Sequence, residues 1–300
     1  MRSKLADCAR RYCVIDTLLP VIEAHDGLSP QCHHCLGILV ELWHVLQEWE
    51  DELCLIGGWA VYALTEVFTR DAKGVPFRHR GSLDVDIALD LQSLTPGKAR
   101  SVAERLAAAD YQPPSGDLQF RWHRCYAGGE IPYSIDLMTP DPPGHQEGAV
   151  QVGRYEWGPF WNGGPALESV TPVLVRATLP TGARGEARVR IASASGLLFA
   201  KAQIPFSPRG SDEAKHHYDV YCLVRAYPGG PEAMADRLTA DLTAEQLDTL
   251  RDMLSISFAD RNSMGPIAVA DVFEEHGEML ERRLTEARVT IARLLRALGA

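Results

Sequence analysis

Leu83-Asp84-Val85-Asp86-Ile87-Ala88-Leu89 alternates apolar residues with two aspartates, and this stretch decides the fold. Side chains alternate across a strand, so Leu83, Val85, Ile87 and Leu89 share one face and both carboxylates the other. Two aspartates two apart on a strand sit roughly 6.5 Å apart at the backbone, close enough for their oxygens to converge on one or two hard cations. Taken alone, a D-x-D pair reads more naturally as the solvated face of an edge strand.

The neighbouring segments change that weighing. Upstream, Leu55-Ile56-Gly57-Gly58-Trp59-Ala60-Val61 runs from an apolar strand through two glycines into a helical pattern. Glycines there let the backbone approach a ligand and aim helix N-terminal amides at phosphate. Downstream, Ile131-Pro132-Tyr133-Ser134-Ile135-Asp136-Leu137-Met138 puts Ile131, Tyr133, Ile135 and Leu137 on one face and leaves Asp136 on the other. An adjacent strand would deliver this third carboxylate to the same cations, as a two-metal site needs. Glu130 and Asp141, at the strand ends, read as solvent-exposed.

Outward from this centre the pattern predicts a strand at 53–56, helix 58–68, strand 83–89, helix 96–109 and strands 118–126 and 131–138. The first fifty residues read as two helices divided at Asp26-Gly27-Leu28-Ser29-Pro30, where Ser29 caps and Pro30 takes the first helical position. The Pro- and Gly-rich stretch 139–165 reads as loop with one short strand. Strands at 172–179 and 186–192 flank Pro180-Thr181-Gly182 as a hairpin, and helices follow at 194–204, 211–226, 243–256 and 265–298. The expected organisation is α+β: an N-terminal helical extension (1–50), a mixed-sheet domain (51–193) and a helical C-terminal domain (194–300).

The chain of 300 residues is 46% hydrophobic and 23% charged, a globular balance, and carries a net charge of −10. That charge argues against a general nucleic-acid coat but not against a local patch. Residues 151–200 form the only net-positive block of fifty, with Arg154, Arg176, Arg184, Arg188 and Arg190 against Glu156, Glu168 and Glu186. No apolar run reaches the roughly 18 residues of a membrane helix, and no signal peptide is read. The seven irregularly spaced cysteines (8, 13, 32, 35, 54, 125 and 222) suit free thiols. A cytoplasmic location is expected.

Several features have plainer readings. Cys32-His33-His34-Cys35 has zinc-like spacing, yet its cysteines extend the helical stripe of Leu36, Leu39 and Trp43, and packing is favoured. Tyr155, Trp157, Phe160 and Trp161 would stack on bases beside Arg154 and Arg176, but a hydrophobic cluster under a long loop is the favoured reading. Leu118, Phe120 and Trp122 read as a buried strand face with Arg121 and His123 facing out, and His216 and His217 as a helix-surface pair. Of the basic residues between Gly58 and Asp84 (Arg70, Lys73, Arg78, His79, Arg80), Arg80 is the best placed for substrate. Nearby Ser82 suits a phosphate hydrogen bond or a modification site.

Gly57-Gly58, Ser82-Leu83-Asp84-Val85-Asp86-Ile87 and Ile135-Asp136-Leu137 together resemble the DNA polymerase β-like nucleotidyltransferase superfamily. Leu198-Phe199-Ala200-Lys201, followed by Lys215-His216-His217-Tyr218-Asp219-Val220-Tyr221, is similar to its AbiEii-type branch, which includes abortive-infection and type IV toxin–antitoxin toxins. The resemblance covers roughly 53–225. It implies that Gly57 and Gly58 cradle the nucleotide phosphates, beside the candidates Arg80 and Ser82, that Asp84, Asp86 and Asp136 hold two magnesium ions, that Lys201 contacts the triphosphate of an NTP, and that Asp219 orients that lysine or the incoming nucleotide. His216 departs from the pattern, standing where relatives carry an aspartate. The expected activity is transfer of a nucleoside monophosphate to a hydroxyl of RNA, the tRNA acceptor end foremost, with a cognate antitoxin as partner. Two alternatives stand beside it: an aminoglycoside-type small-molecule nucleotidyltransferase, and a non-catalytic nucleotide- or partner-binding module.

Overall fold

The computed structural model describes residues 19–70, 77–113, 120–126, 132–142, 145, 148–206 and 213–299. Among these, ten α-helices surround one mixed sheet of nine strands. The strands are β1 (Val21–Glu23), β2 (Leu53–Leu55), β3 (Asp84–Leu89), β4 (Arg121–Cys125), β5 (Pro132–Pro140), β6 (Val150–Val152), β7 (Tyr155–Phe160), β8 (Thr171–Thr178) and β9 (Arg184–Ile191). Their order is β1-β8-β9-β2-β3-β5-β7-β6, with β4 beside β5. No helix among the described residues is long and apolar enough to cross a membrane.

The first helix, α1 (Pro30–Val45), starts as its sequence predicts: the Ser29 hydroxyl accepts from the Cys32 amide at 3.2 Å, and Pro30 stands where no donor is needed. It packs on β8 and β9, burying Leu36, Leu39, Leu42 and Trp43, each worth about 1.5–3 kcal/mol of apolar transfer. Cys35 in that stripe accepts from the Trp59 indole N–H at 3.2 Å, so the cysteine serves packing. The segment before α1 is not helical where it is described. Val21–Glu23 pairs in parallel with β8, since β-branched Val21 and Ile22 suit a sheet edge. Residues 1–18, with Cys8 and Cys13, lie outside the described residues, as do Lys73, Leu118, Glu130 and Ile131.

β2 leads into α2 (Gly57–Thr69), and β3 follows antiparallel to it. Leu83 falls just outside β3 and is 57% exposed, so the apolar face of this strand begins at Val85. After α3 (Pro96–Ala108), β4 and β5 form an antiparallel pair. The stretch read as loop holds two strands rather than one: Gly153, in the left-handed region at φ 65°, turns β6 into β7. Trp157 and Phe160 on β7 are buried in the core and Tyr155 packs against it, whereas Trp161 is half-buried outside it. The hairpin expected around Pro180-Thr181-Gly182 is present as β8 and β9, with Thr171 opposite Ile191.

Past α4 (Gly164–Glu168) and β9 the described chain is helical: α5 (Ala194–Gln203), α6 (Glu213–Ala226), α7 (Gly230–Asp241), α8 (Ala244–Ser257), α9 (Met264–Phe273) and α10 (Gly277–Ala297). α7 has no counterpart in the sequence reading, because Pro228-Gly229-Gly230-Pro231 looks like loop, yet Pro231 suits a first helical turn. The helix expected over 265–298 breaks in two where Glu274 adopts a left-handed conformation (φ 52°). α6 packs against both α2 and α5, which brings the helices over the sheet beside β3 and β5.

Candidate active site

Asp84, Asp86 and Asp136 occupy one face of two parallel strands. Asp86 stands in register with Asp136, and Asp84 with Ser134. Across the other edge of β5, Arg121 is in register with Asp136 and donates to both its carboxylate oxygens, at 2.7 and 2.6 Å. Arg121 therefore faces the carboxylates rather than solvent: the antiparallel register of β4 puts it on the face of Asp136.

These residues line a cavity of about 450 Å³, within the range of small-ligand sites. Gly57, Lys201, Lys215 and His216 line it too. Gly57 sits at φ 66°, and a Cβ there would overlap the Asp86 carboxylate, so only glycine lets the start of α2 come this close. Ile56 at the N-cap of α2 makes no side-chain cap hydrogen bond, which among the described residues leaves the first amides of the helix available to an anion. Gly58 packs against Ser82, which is buried and donates to Asp84.

Two lysines reach in from the helices. Lys215 on α6 contacts Asp84 at 2.8 and 3.1 Å. Lys201 on α5, 4% exposed, forms an ion pair with Asp219 at 2.6 Å. The other oxygen of Asp219 accepts from His79 Nε2 at 2.8 Å, and the Gly81 amide donates to His79 Nδ1 at 3.0 Å. A backbone N–H can only donate, so Nδ1 is the accepting nitrogen and Nε2 carries the proton. His79 thus ties the segment before β3 to α6, aided by the Tyr218 hydroxyl, which accepts from the Arg80 amide at 2.9 Å.

The electrostatics are uneven. Burial raises the Asp84 carboxyl, but the Lys215 ammonium and the hydrogen bonds from Lys215 and Ser82 outweigh it and hold Asp84 below the usual range. Asp86 has no ion pair among the described residues. Burial, then repulsion from Asp84 and Asp136, pushes its pKa up to about 7. Burial also opposes the Asp219 charge, but Lys201 and His79 hold its carboxyl far below normal. Burial, with Lys201 beside it, lowers His216 to about 3, so this histidine is a neutral wall of the cavity.

The cavity thus gathers Gly57, Asp84, Asp86, Asp136 and Lys201 from the residues singled out by sequence, with Asp219, Ser82 and Gly58 just behind them. It does not gather Arg80, whose guanidinium lies over the Phe273 ring, 5.5 Å from its centroid, an apolar partner that draws it toward α9. Three readings are corrected. Phe120 precedes β4 and lines the cavity with Phe160 and Trp161. His216 lines it as well, while His217 is buried and hydrogen-bonded to Ser257 at 3.0 Å, because α6 is covered on this side. Lys215 and Arg121 receive no site role from the sequence, although Lys215 opens the stretch 215–221 that carries the resemblance and stands four residues from Asp219 on one helix face.

Among the described residues no group of three or more His, Cys, Asp or Glu is disposed to hold a metal ion as the side chains stand. Lys215 and Arg121 hold Asp84 and Asp136. The donor set nevertheless fits a hard divalent cation: all its ligands are carboxylate oxygens, and Asp86 among them, buried beside Asp84 and Asp136, forms no ion pair among the described residues. No family model matches the chain. No curated protein matches it either.

Proposed function

We propose that this protein is a magnesium-dependent nucleotidyltransferase of the polymerase β-like kind, with an AbiEii-like helical part. One observation carries the reading: Gly57, Asp84, Asp86, Asp136 and Lys201, from four separate elements, border the same cavity. A solvated edge strand would not place a third carboxylate in register with Asp86, nor close helices with two lysines over the set.

In this reading the α2 amides at Gly57 and Gly58 take phosphate oxygens, and Lys201, fixed by Asp219 and His79, meets the triphosphate. Asp84, Asp86 and Asp136 hold the magnesium ions, which when bound neutralise the phosphates and favour the alkoxide of the acceptor. The acceptor oxygen bonds to the α-phosphorus, the bond to pyrophosphate breaks with its electron pair leaving on pyrophosphate, and Asp136 helps remove the hydroxyl proton. Lysine charge beside the leaving pyrophosphate stabilises the transition state, an effect of about 3–4 kcal/mol for a well-placed group. RNA is the proposed acceptor, the tRNA acceptor end foremost, and a cognate antitoxin the proposed partner, both from the resemblance.

Incubation with labelled NTPs, magnesium and total RNA, beside a panel of aminoglycosides, tests this. Label on RNA that disappears in Asp84→Asn supports the reading, and label on an aminoglycoside alone transfers it to the small-molecule class. No labelled product of either kind, with folded protein, overturns it.

A further inference from the structure

The cavity has two unlike ends. The polar end is the carboxylate and lysine cluster, and the other is apolar and largely aromatic: Phe120, Met138, Phe160, Trp161 and Ile204. The arrangement follows from β5 changing partners. Along one edge of β5, Pro132 to Asp136 pair with β4, ending with Asp136 opposite Arg121, and Met138 to Pro140 pair with β7, starting with Met138 opposite Gly158. Phe120 stands at that change, its carbonyl accepting from the Leu137 amide at 3.2 Å.

Gly158 leaves room for the Phe120 ring. A Cβ there would come within 2.9 Å of Cδ2 and 3.3 Å of the Met138 Cγ, so any larger residue displaces the ring from this wall. A second glycine, Gly163, accommodates the Phe160 ring in the same way. Trp161 follows on a turn anchored at both sides: Asp141 accepts from the Asn162 amide at 2.8 Å, and the Asn162 side chain donates to Gln203 of α5 at 2.6 Å. Phe120 and Trp161 both line the cavity and are half-buried rather than buried. Apolar surface left wet in a cavity favours an apolar, flat occupant, and an aromatic ring is best matched by another ring's face.

We propose that this apolar end is a stacking subsite for the base of the NTP. The inference rests on the nucleotidyltransferase reading above, and says where in the cavity the nucleoside lies. The spacing fits: Met138 and Pro140 lie roughly 7 and 13 Å along β5 from Asp136, and Pro140 is in register with Phe160. A nucleotide is divided the same way, with phosphates at one end, a flat base at the other and a sugar between.

Calorimetric titration of the full chain with magnesium and either inorganic tripolyphosphate or each NTP separates the two ends. The expected result is that at least one NTP binds about tenfold or more tighter than tripolyphosphate, the gain typical of base stacking. Phe120→Ala and Trp161→Ala should abolish most of that difference and leave tripolyphosphate affinity within twofold, while Trp161→Phe retains it. Near-ultraviolet circular dichroism confirms that the variants are folded. Tripolyphosphate binding as tightly as every NTP, or folded alanine variants that keep the full NTP advantage, overturns the subsite while sparing the phosphate end. Absence of both tripolyphosphate and NTP binding in the wild type overturns the underlying reading with it.

Discussion

Asp86 and Asp136 stand directly opposite one another across the parallel pairing of β3 and β5, on the same face of the sheet, with Arg121 next in the row. One guanidinium serves that row, and both of its hydrogen bonds go to Asp136. Asp86 is buried and has no ion pair among the described residues, and burial first, then repulsion from Asp84 and Asp136, pushes its pKa up to about 7. A bound divalent cation would correct that imbalance, so the feature least favourable to the free fold is the one that gives metal a reason to bind.

The first consequence is a pH dependence in metal-free protein. Asp86 has a folded pKa above its unfolded value, so between about pH 4 and 7 the folded state holds more protons and stability falls as pH rises. Asp86→Asn removes that loss. In chelator, its melting temperature should match wild type below pH 4 and exceed it by several degrees at pH 8, with transfer abolished. A gap that is constant across pH would show that Asp86 does not carry the strain.

Lys215 holds the place of a cation at Asp84. Lys215→Ala should therefore let magnesium alone bind the free protein several-fold tighter, since the ion no longer displaces an ammonium, while transfer falls because the cavity is short of a positive charge at the phosphates. Titration with magnesium alone reads the first effect and steady-state labelling the second. Unchanged magnesium affinity would mean that the lysine and the metal do not compete.

How much of this is legible in the sequence follows from the kind of signal each residue leaves. Asp84, Asp86 and Asp136 announce themselves because strand alternation is local, and an acid on the polar face of an apolar strand is visible within seven residues. Arg121 is no less central, yet its role depends on the register of β4 against β5, which no local pattern encodes. The break at Glu274 ahead of α10 and the helix after Pro228 depend on single backbone conformations and on packing. Phe120 and Trp161 mislead for a related reason: an aromatic residue in a core and one in a cavity wall have the same sequence, and only the change of partners along β5 separates them.

His79 shows the same limit and gives a third prediction. It lies in a stretch rich in basic residues and looks solvated, but it is 1% exposed and donates to the carboxylate that holds Lys201. His79→Ala should leave Asp219 with an unsatisfied oxygen, at a cost of about 1–3 kcal/mol in stability, and lower kcat with little change in KM for the NTP. His79→Gln, whose amide nitrogen reaches as far as Nε2, should recover most of kcat. Equal loss in both variants at equal stability would mean the imidazole does more than orient the pair.

The last prediction concerns the acceptor. A net charge of −10 leaves RNA only a confined basic surface, and the ion pairs narrow it further. Arg176 is 2.9 Å from Glu186 and 3.9 Å from Glu23, so its charge is partly spent within the sheet. Arg188 and Arg190 form no ion pair among the described residues, and β9 ends at Ile191 beside Leu55, two residues before Gly57. Arg188→Glu together with Arg190→Glu should weaken RNA labelling strongly and flatten the dependence of RNA binding on salt by about one unit of log slope for each phosphate the protein no longer neutralises. NTP binding, which depends on the cavity, should be unchanged. RNA labelled as well as by wild type, with the same salt slope, would place the acceptor path elsewhere on the molecule.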